Sequence, residues 1–515
     1  MQETTILWAD DEIDLLKPHI LFLNDKGYTV KTVTNGSDAL DAIKTDYFDL
    51  IFLDENMPGL TGLETLAEVK NIKADLPVVL ITKNEEEPVM EDAIGAQIDD
   101  YLIKPVNPKQ VLLTIKRILD NKRLITAKTT SAYQQDFMNL GLTLNDNLSF
   151  EEWVDVYKKL VYWELQLERL DDTGMLEILT QQKAEANMQF SKFVERNYLK
   201  WVQNPGEAPV MSHNLLGSKV FPLLDDIPTF FVLIDNLRYD QWKVIQPIVS
   251  EYFRFESEEC YYSILPTATQ YARNAIFSGL MPLDMEKQYP NIWQNDEDEG
   301  GKNMFEEDFL YSHIQRLRKS IKFSYTKVLN YDAGREMMEN VHNNLGNSFN
   351  AIVYNFVDTL SHARTEMEIL KELASDEAAY RSLTLSWFEH SPLFDALKRI
   401  ADKKVRLIIT TDHGTIRVKT PSKVIGDRNT NTNLRYKTGK NLAFEAKDVM
   451  HIRNPHEALL PRQHVSSSYI FAKEDEYFVY QNNYNQFVQY YLNTFQHGGI
   501  SLEEMIIPFA VFTSK

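Results

Sequence analysis

The spacing of apolar positions changes twice along the chain. Over residues 4–119, short apolar runs alternate with helically spaced ones. TTILWAD, YTVKTV, YFDLIFLD, LPVVLIT and DDYLI read as strands. IDLLKPHILFLNDKG, GSDALDAIKT, LTGLETLAEVKNI, EEEPVMEDAIGA and NPKQVLLTIKRIL read as helices. This alternation predicts a five-stranded parallel sheet with helices on both faces. Residues 121–205 lack strand signals. There SFEEWVDVYKKLVYWELQLERL begins with Ser149 and Glu152 at capping-box spacing and continues as a stripe of Trp153, Tyr157, Leu160, Val161 and Leu165. A helical connector is predicted, with its tryptophans used for packing. From residue 206 the alternation returns, with strands predicted at PTFFVLIDN, IKFSYTKVL, NAIVYNFVD and VRLIITTDH. The expected division is an α/β unit at 1–120, a helical connector at 121–205 and a second, larger α/β unit at 206–515.

Composition narrows the function class. At 515 residues the chain is too long for one core, and 43% apolar with 25% charged residues is ordinary globular content. A net charge of −21 argues against a general binder of nucleic acid or membrane surface. The charge is uneven, since residues 1–120 hold 23 acids against 11 bases. Cys260 is the single cysteine, so no internal disulfide forms. No basic leader and no membrane-length apolar run is evident, which predicts a cytoplasmic protein without direct membrane insertion.

In a doubly wound sheet the carboxyl ends of the strands converge. Asp10 and Asp11 follow the first predicted strand, Asp54 ends the third, Thr82 ends the fourth and Lys104 follows the fifth. Three carboxylates at one edge repel unless a hard divalent cation joins them, and Mg²⁺ suits oxygen ligands. With these positions in this order the segment resembles the CheY-like receiver domain of bacterial response regulators. The resemblance implies phosphorylation on Asp54. It implies Mg²⁺ held by Asp11, Asp54 and the Asn56 carbonyl, with Asp10 acting through water. It makes Thr82 and Tyr101 the switch pair and Lys104 the phosphate partner, with a cis Lys104–Pro105 bond. The residue after the switch threonine is usually small in that family and is Lys83 here, which predicts slow loss of the phosphoryl group.

The last segment concentrates acids and histidines at strand ends. Asp235 ends FFVLID. Asp358 ends AIVYNFVD, and His362 follows in D-x-x-x-H spacing. Asp412 and His413 end VRLIITTDH, and His497 lies in FQHGG. Three aspartates and three histidines supply mixed N/O ligands for two transition ions, with zinc the usual choice. A threonine-rich turn, PTATQ, precedes the apolar helix YARNAIFSGL, so either Thr267 or Thr269 is placed to be activated by metal as a nucleophile, and the other to cap the helix. This order resembles the alkaline phosphatase superfamily, in particular its PglZ branch. By that resemblance one zinc takes Asp235, Thr269, Asp412 and His413, and the other takes Asp358, His362 and His497. The nucleophile is then Thr269.

Residues 415–440 hold seven bases and one acid among Thr, Asn and Gly, which predicts a basic loop at the rim of an anionic substrate site. Arg417 and Lys419 from that stretch are substrate-binding candidates, together with Arg238 and Arg273. The combination of the segments resembles the response-regulator family of type IX secretion. That resemblance implies phosphorylation by a sensor histidine kinase and a homodimer favoured by phosphorylation. It further implies contact with a sigma factor and with the cytoplasmic part of the secretion motor, and zinc-dependent hydrolysis of phosphodiesters in cyclic or linear oligonucleotides. The rival expectation is a catalytically silent zinc module that recruits the sigma factor or a secretion component. A DNA-binding regulator ranks last, because no basic helix-turn-helix pattern follows the first unit.

Overall fold

A computed structural model of the chain describes residues 4–74, 76–83, 98–144, 147–170, 173–296, 298, 301–374, 376–427, 430–462 and 464–515. The chain forms two compact units, Met1–Gln135 and Asp136–Lys515.

The first unit contains β1 (Thr4–Ala9), α1 (Lys17–Asp25), β2 (Tyr28–Val33), α2 (Gly36–Thr45), β3 (Leu50–Asp54), α3 (Gly62–Ile72), β4 (Val78–Thr82), β5 (Asp100–Ile103) and the start of α4 (Pro108–Thr143). The strands pair in parallel in the order β2-β1-β3-β4-β5. Alternation of side chains splits the strands between two cores. Leu7, Ile51, Leu53 and Leu80 face one side, and Ile6, Trp8, Phe52 and Ile81 face the other. Each such buried aliphatic contributes about 1.5–3 kcal/mol. The helix expected over EEEPVMEDAIGA lies outside the described residues.

Helix α4 runs without a break through residue 120, and residues 136–205 belong to the second compact unit. There α5 (Phe150–Arg169), opened by the expected Ser149–Glu152 capping box, packs with α6 (Thr173–Gln203). Aromatic contacts explain why these helices join the following α/β segment. Tyr157 meets Tyr239 at 5.7 Å, and Trp201 meets Tyr262 at 5.6 Å between ring centroids.

Beyond the helices come β6 (Thr229–Ile234), α7 (Tyr239–Tyr252), β7 (Phe253–Tyr262), α8 (Thr269–Ser278), α9 (Glu306–Arg316), β8 (Phe323–Val328), β9 (Phe349–Tyr354), α10 (Phe356–Glu366), α11 (Glu377–Glu389) and β10 (Arg406–Thr410). Then follow β11 (Ile416–Arg417), β12 (Thr420–Ile425), β13 (Tyr436–Lys440), β14 (Ala443–Phe444), β15 (Val449–Ile452), β16 (Ser467–Ala472), β17 (Glu476–Tyr480), β18 (Phe495–Gln496) and β19 (Ile506–Ser514). The central sheet has the order β7-β19-β10-β6-β9-β8. The four predicted strands β6, β8, β9 and β10 are its parallel part. β19 runs antiparallel between β10 and β7. Strands β11–β18 make three small sheets of their own. The loop expected over 415–440 is therefore corrected: β11, β12 and β13 occupy much of it, with Ile416, Ser422, Val424 and Tyr436 of these strands buried.

Candidate functional site

In the first unit, Asp10, Asp11 and Asp54 each place a carboxylate oxygen within 4.8 Å of the others. Lys104 Nζ lies 2.7 Å from Asp54 Oδ1 and 2.9 Å from Asp10 Oδ2. The Lys104–Pro105 bond that follows is cis. Burial raises the Asp54 pKa, and the hydrogen bond from Lys104 opposes that rise. Burial alone would lower the Lys104 pKa, but the two carboxylates outweigh it and the net direction is upward. Thr82 is buried at the end of β4, whereas Tyr101 is 37% exposed on β5. Asn56 is exposed after β3. Lys83 Nζ lies 3.6 Å from Glu12 Oε2, with both side chains largely in solvent.

In the second unit, the ends of the parallel strands β6, β9 and β10 bring the separated motifs together. Asp235 follows β6, and Asp412-His413 follow β10; one ligand atom from each lies within 4.8 Å of the others, and all three residues are buried. Thr269, the first residue of α8, has Oγ1 3.1 Å from His413 Nε2 and 3.3 Å from Asp235 Oδ1. The imidazoles are oriented by backbone. His413 Nδ1 is 3.1 Å from the Gly414 carbonyl, and His497 Nδ1 is 3.1 Å from the Thr267 carbonyl. Donation from Nδ1 leaves each Nε2 as a lone-pair donor to the site, the usual arrangement around a metal-ligating histidine. The two rings stack at 4.3 Å, and His497 Nε2 lies 3.7 Å from Asp358 Oδ1. His362 lies on α10, one helical turn after Asp358; its side chain lies outside the described set. Asp412 Oδ2 is buried and accepts no hydrogen bond from the described residues. Burial, then the neighbouring Asp235 charge, push the Asp412 carboxyl up to about 6. An orphaned carboxylate oxygen, two further carboxylates and imidazoles whose Nε2 atoms face Thr269 and Asp358 fit a pair of divalent cations.

Three supporting groups escape the strand-end pattern. Asn236, in the left-handed region at φ 64°, donates from its backbone to Asp412 Oδ1 (3.3 Å) and from Nδ2 to Asp358 Oδ1 (3.3 Å), tying the two halves together. The only sequence signal for it is its place directly after Asp235, since asparagine tolerates that backbone region. Glu306 forms an ion pair with Arg273 Nε at 2.5 Å and accepts hydrogen bonds from Tyr325 Oη at 2.6 Å and Lys327 Nζ at 2.7 Å. Gly414 is required by close approach, because a Cβ there would sit 2.0 Å from the Glu503 carbonyl oxygen.

The two threonines separate clearly. Thr267 Oγ1 donates to the Gly499 carbonyl (2.9 Å) and accepts from Gly498 N (3.0 Å), fully buried. The N-cap of α8 is Ala268 with no side-chain cap bond, so neither threonine caps that helix.

The arginine candidates are held by carboxylates. Arg273 Nη1 pairs with Asp235 Oδ2 at 2.9 Å, and Arg238 forms a fork on Asp240 (2.9 and 2.5 Å) while also meeting Glu377. Arg417 and Lys419 line a cavity with Glu164, Lys183 and Glu503 that contains none of the metal-cluster residues. Two of the bases expected in a rim loop are internal: Arg435 and Lys437 have no exposed surface. Arg428 lies outside the described residues.

Among the described residues Lys437 gives one hydrogen bond, to the Asn431 carbonyl at 2.9 Å, and it lies 4.5 Å from the Tyr480 ring centre. Burial pushes its ammonium down from 10.5 to about 7. The unfolded chain therefore holds a proton that the folded chain has released between about pH 7 and 10.5, so folding stability rises with pH across that window and the full cost is present below it. We expect Lys437→Met to raise the unfolding temperature at neutral pH, with the advantage over wild type shrinking as pH approaches 10.5; paired thermal melts across the window check this.

Comparison with known proteins finds three family matches along the chain. Residues 6–116 match the family described as "Response regulator receiver domain", 123–202 the "PorX response regulator linker domain" and 215–512 the "BREX system PglZ alkaline phosphatase-like domain". Among curated proteins, the chain is 32% identical over 185 residues to the probable transcriptional regulator ycf27 of Cyanidium caldarium, covering 35% of this chain and 70% of that protein. It is 31% identical over 165 residues to the alkaline phosphatase synthesis transcriptional regulatory protein PhoP of Bacillus subtilis, covering 32% of this chain and 65% of PhoP. It is 33% identical over 117 residues to the transcriptional regulatory protein ResD of the same species, covering 23% of this chain and 48% of ResD. Among solved structures, a CheY-like receiver domain protein from Methanospirillum hungatei is 27% identical, covering 23% of this chain and 94% of its own, with a TM-score of 0.22.

Proposed function

The chain belongs to the PglZ alkaline phosphatase-like family and is a two-component response regulator, and on that premise we propose that it is a zinc-dependent phosphodiesterase under phosphorylation control. The observation that carries this reading is the hydroxyl of Thr269 set against Asp235 and His413, beside the Asp358–His497 pair. One zinc is assigned to Asp235, Thr269, Asp412 and His413, the other to Asp358, His362 and His497. Bound there, the two ions would lower the pKa of the Thr269 hydroxyl and neutralise charge on phosphoryl oxygens. Thr269 Oγ1 forms the bond to phosphorus and the alcohol of the diester leaves with a proton. Water then cleaves the Thr269 phosphoester, restoring the hydroxyl and releasing a phosphomonoester. Arg273 holds Asp235, and Asn236 holds Asp412 and Asp358, so the ligand oxygens are fixed before substrate binds.

The receiver implies a sensor histidine kinase as partner. Phosphorylation is placed on Asp54, with Mg²⁺ on Asp10, Asp11, Asp54 and the Asn56 carbonyl. Lys104 pairs with the phosphoryl group, and Thr82 and Tyr101 respond to it. The output assigned to the phosphorylated state is a homodimer acting on cyclic or linear oligonucleotides, with a sigma factor and the cytoplasmic part of the type IX secretion motor as protein partners. Metal analysis with a panel of cyclic and linear dinucleotides tests the reading. Two zinc per chain and diester turnover support it; zinc without turnover on any diester favours the binding module.

Lys83 adds a measurable property. Its ammonium lies 3.6 Å from Glu12 Oε2 and lines one cavity with Asp10 and Lys104, and the role we assign to it is to shield the acyl phosphate from water. We expect Lys83→Ala to shorten the phosphoryl lifetime several-fold, followed by loss of label from chain phosphorylated with a small-molecule donor. An unchanged lifetime removes the shielding role.

A further inference from the structure

We propose that α6 is a positioning element for the metal site, with Asn187, Ser191 and Tyr198 setting the register of the two segments that carry Thr269 and His497. The inference rests on the diesterase reading and names a control point for it. The three residues fall at spacings of four and seven, on one stripe of the helix. All three are buried, with 5%, 1% and 0% exposure.

The stripe reaches both segments of the site, and Ser191 Oγ in addition accepts the Glu474 N–H at 3.3 Å. Tyr198 Oη accepts the Leu265 N–H at 2.8 Å, four residues before Thr269. Asn187 Oδ1 accepts the Leu502 N–H at 2.8 Å, and its Nδ2 donates to Glu503 Oε2 at 3.0 Å. Ser191 Oγ donates to the Ile500 carbonyl at 3.4 Å. Plain adhesion of a helix to a domain needs only apolar contact. Here polar side chains take up backbone groups of two separate segments, and backbone groups left unpaired in such a place are costly.

The two segments are also locked to each other. His497 donates to the Thr267 carbonyl, and the Thr267 hydroxyl bridges Gly498 and Gly499. The Gly414 N–H reaches the Glu504 carbonyl at 3.3 Å, which places the second segment against His413 as well. Upstream, the end of α4 is hydrogen-bonded to the same helices: Trp163 Nε1 donates to Asp136 (3.1 Å) and Gln182 Nε2 to the Phe137 carbonyl (3.0 Å). A displacement of α6 therefore acts on Thr269 and His497 together. It changes the chemistry without any group of α6 touching substrate.

The test uses the full chain with Tyr198→Phe, which deletes only the accepting hydroxyl, and Asn187→Ala. Three quantities are read: amide exchange in the metal-free protein over 261–270 and 495–505, zinc affinity by chelator competition, and kcat and KM on a dinucleotide diester. The expected result for Tyr198→Phe is faster exchange in both segments, including 495–505, which Tyr198 itself does not bond. Zinc affinity falls about tenfold, as for other residues that orient metal ligands, and kcat falls with KM within about twofold. Faster exchange confined to 261–270, with zinc affinity and kcat unchanged, overturns the proposal. Ser191→Ala replaces Tyr198→Phe if the latter does not fold; because Ser191 bonds Ile500, faster exchange that spreads to 261–270 is then the expected result, and faster exchange confined to 495–505 with zinc affinity and kcat unchanged overturns the proposal. Wild-type chain that takes up no zinc and cleaves no diester sinks the diesterase reading, and the exchange measurement still decides the positioning role.

Discussion

Thr269→Ala lowers diester turnover by about a thousandfold or more, roughly 4 kcal/mol of transition-state stabilisation, while the chain stays folded. The size follows from the role: no other hydroxyl is hydrogen-bonded to both Asp235 and His413 among the described residues. The protein should tolerate the change. Thr269 is the first residue of α8, its side chain is not the cap of that helix, and alanine is the better helix former. Asp235, Asp412 and His413 remain, so zinc stoichiometry is retained. Thr267→Ala gives the opposite pattern. It removes both the bond to the Gly499 carbonyl and the acceptor for Gly498 N, so the unfolding temperature and the His497 segment suffer first. Steady-state hydrolysis, zinc content and thermal melts on the two variants separate the cases. Turnover that survives Thr269→Ala removes the nucleophile assignment.

The architecture was legible because parallel strands buried on both faces are written as apolar runs. LIFLD, TFFVLI, FNAIVY and RLIIT were all recognised in this way, and each is followed closely by an acid or ends in one. The strand ends also gave most of the site, since a sheet gathers residues that the sequence scatters. What was hidden follows a different logic. β7 (FRFESEECYY) is largely exposed and charged, so nothing in it reads as part of the central sheet. β19 contains Pro508, a residue normally confined to edges and bulges, yet it lies between β7 and β10. The basic stretch misled in turn. Local charge does not distinguish a solvent-facing lysine from Arg435, whose partner lies 69 positions away.

That partner makes Arg435 a severe test of stability. Arg435 Nη2 and Nε reach Glu504 at 2.6 and 3.2 Å, and the guanidinium also donates to the Glu476, Lys473 and Ile500 carbonyls. Neither side chain has exposed surface. Arg435→Met leaves the Glu504 carboxylate without its counter-charge and removes the guanidinium's bonds to the Glu476, Lys473 and Ile500 carbonyls. Breaking one side of such a buried pair costs about 3–5 kcal/mol, and denaturant titration should show a loss of that order. Arg435→Met with Glu504→Gln should recover part of it, because the amide oxygen still accepts from Gly499 N, where Glu504 Oε1 now lies at 2.9 Å. The recovery should extend to zinc retention, since Gly499 is two residues from His497 and its carbonyl takes the Thr267 hydroxyl. If the single variant is as stable as wild type, the pair does not hold this segment, and the position of His497 must be set by Thr267 and α6 alone.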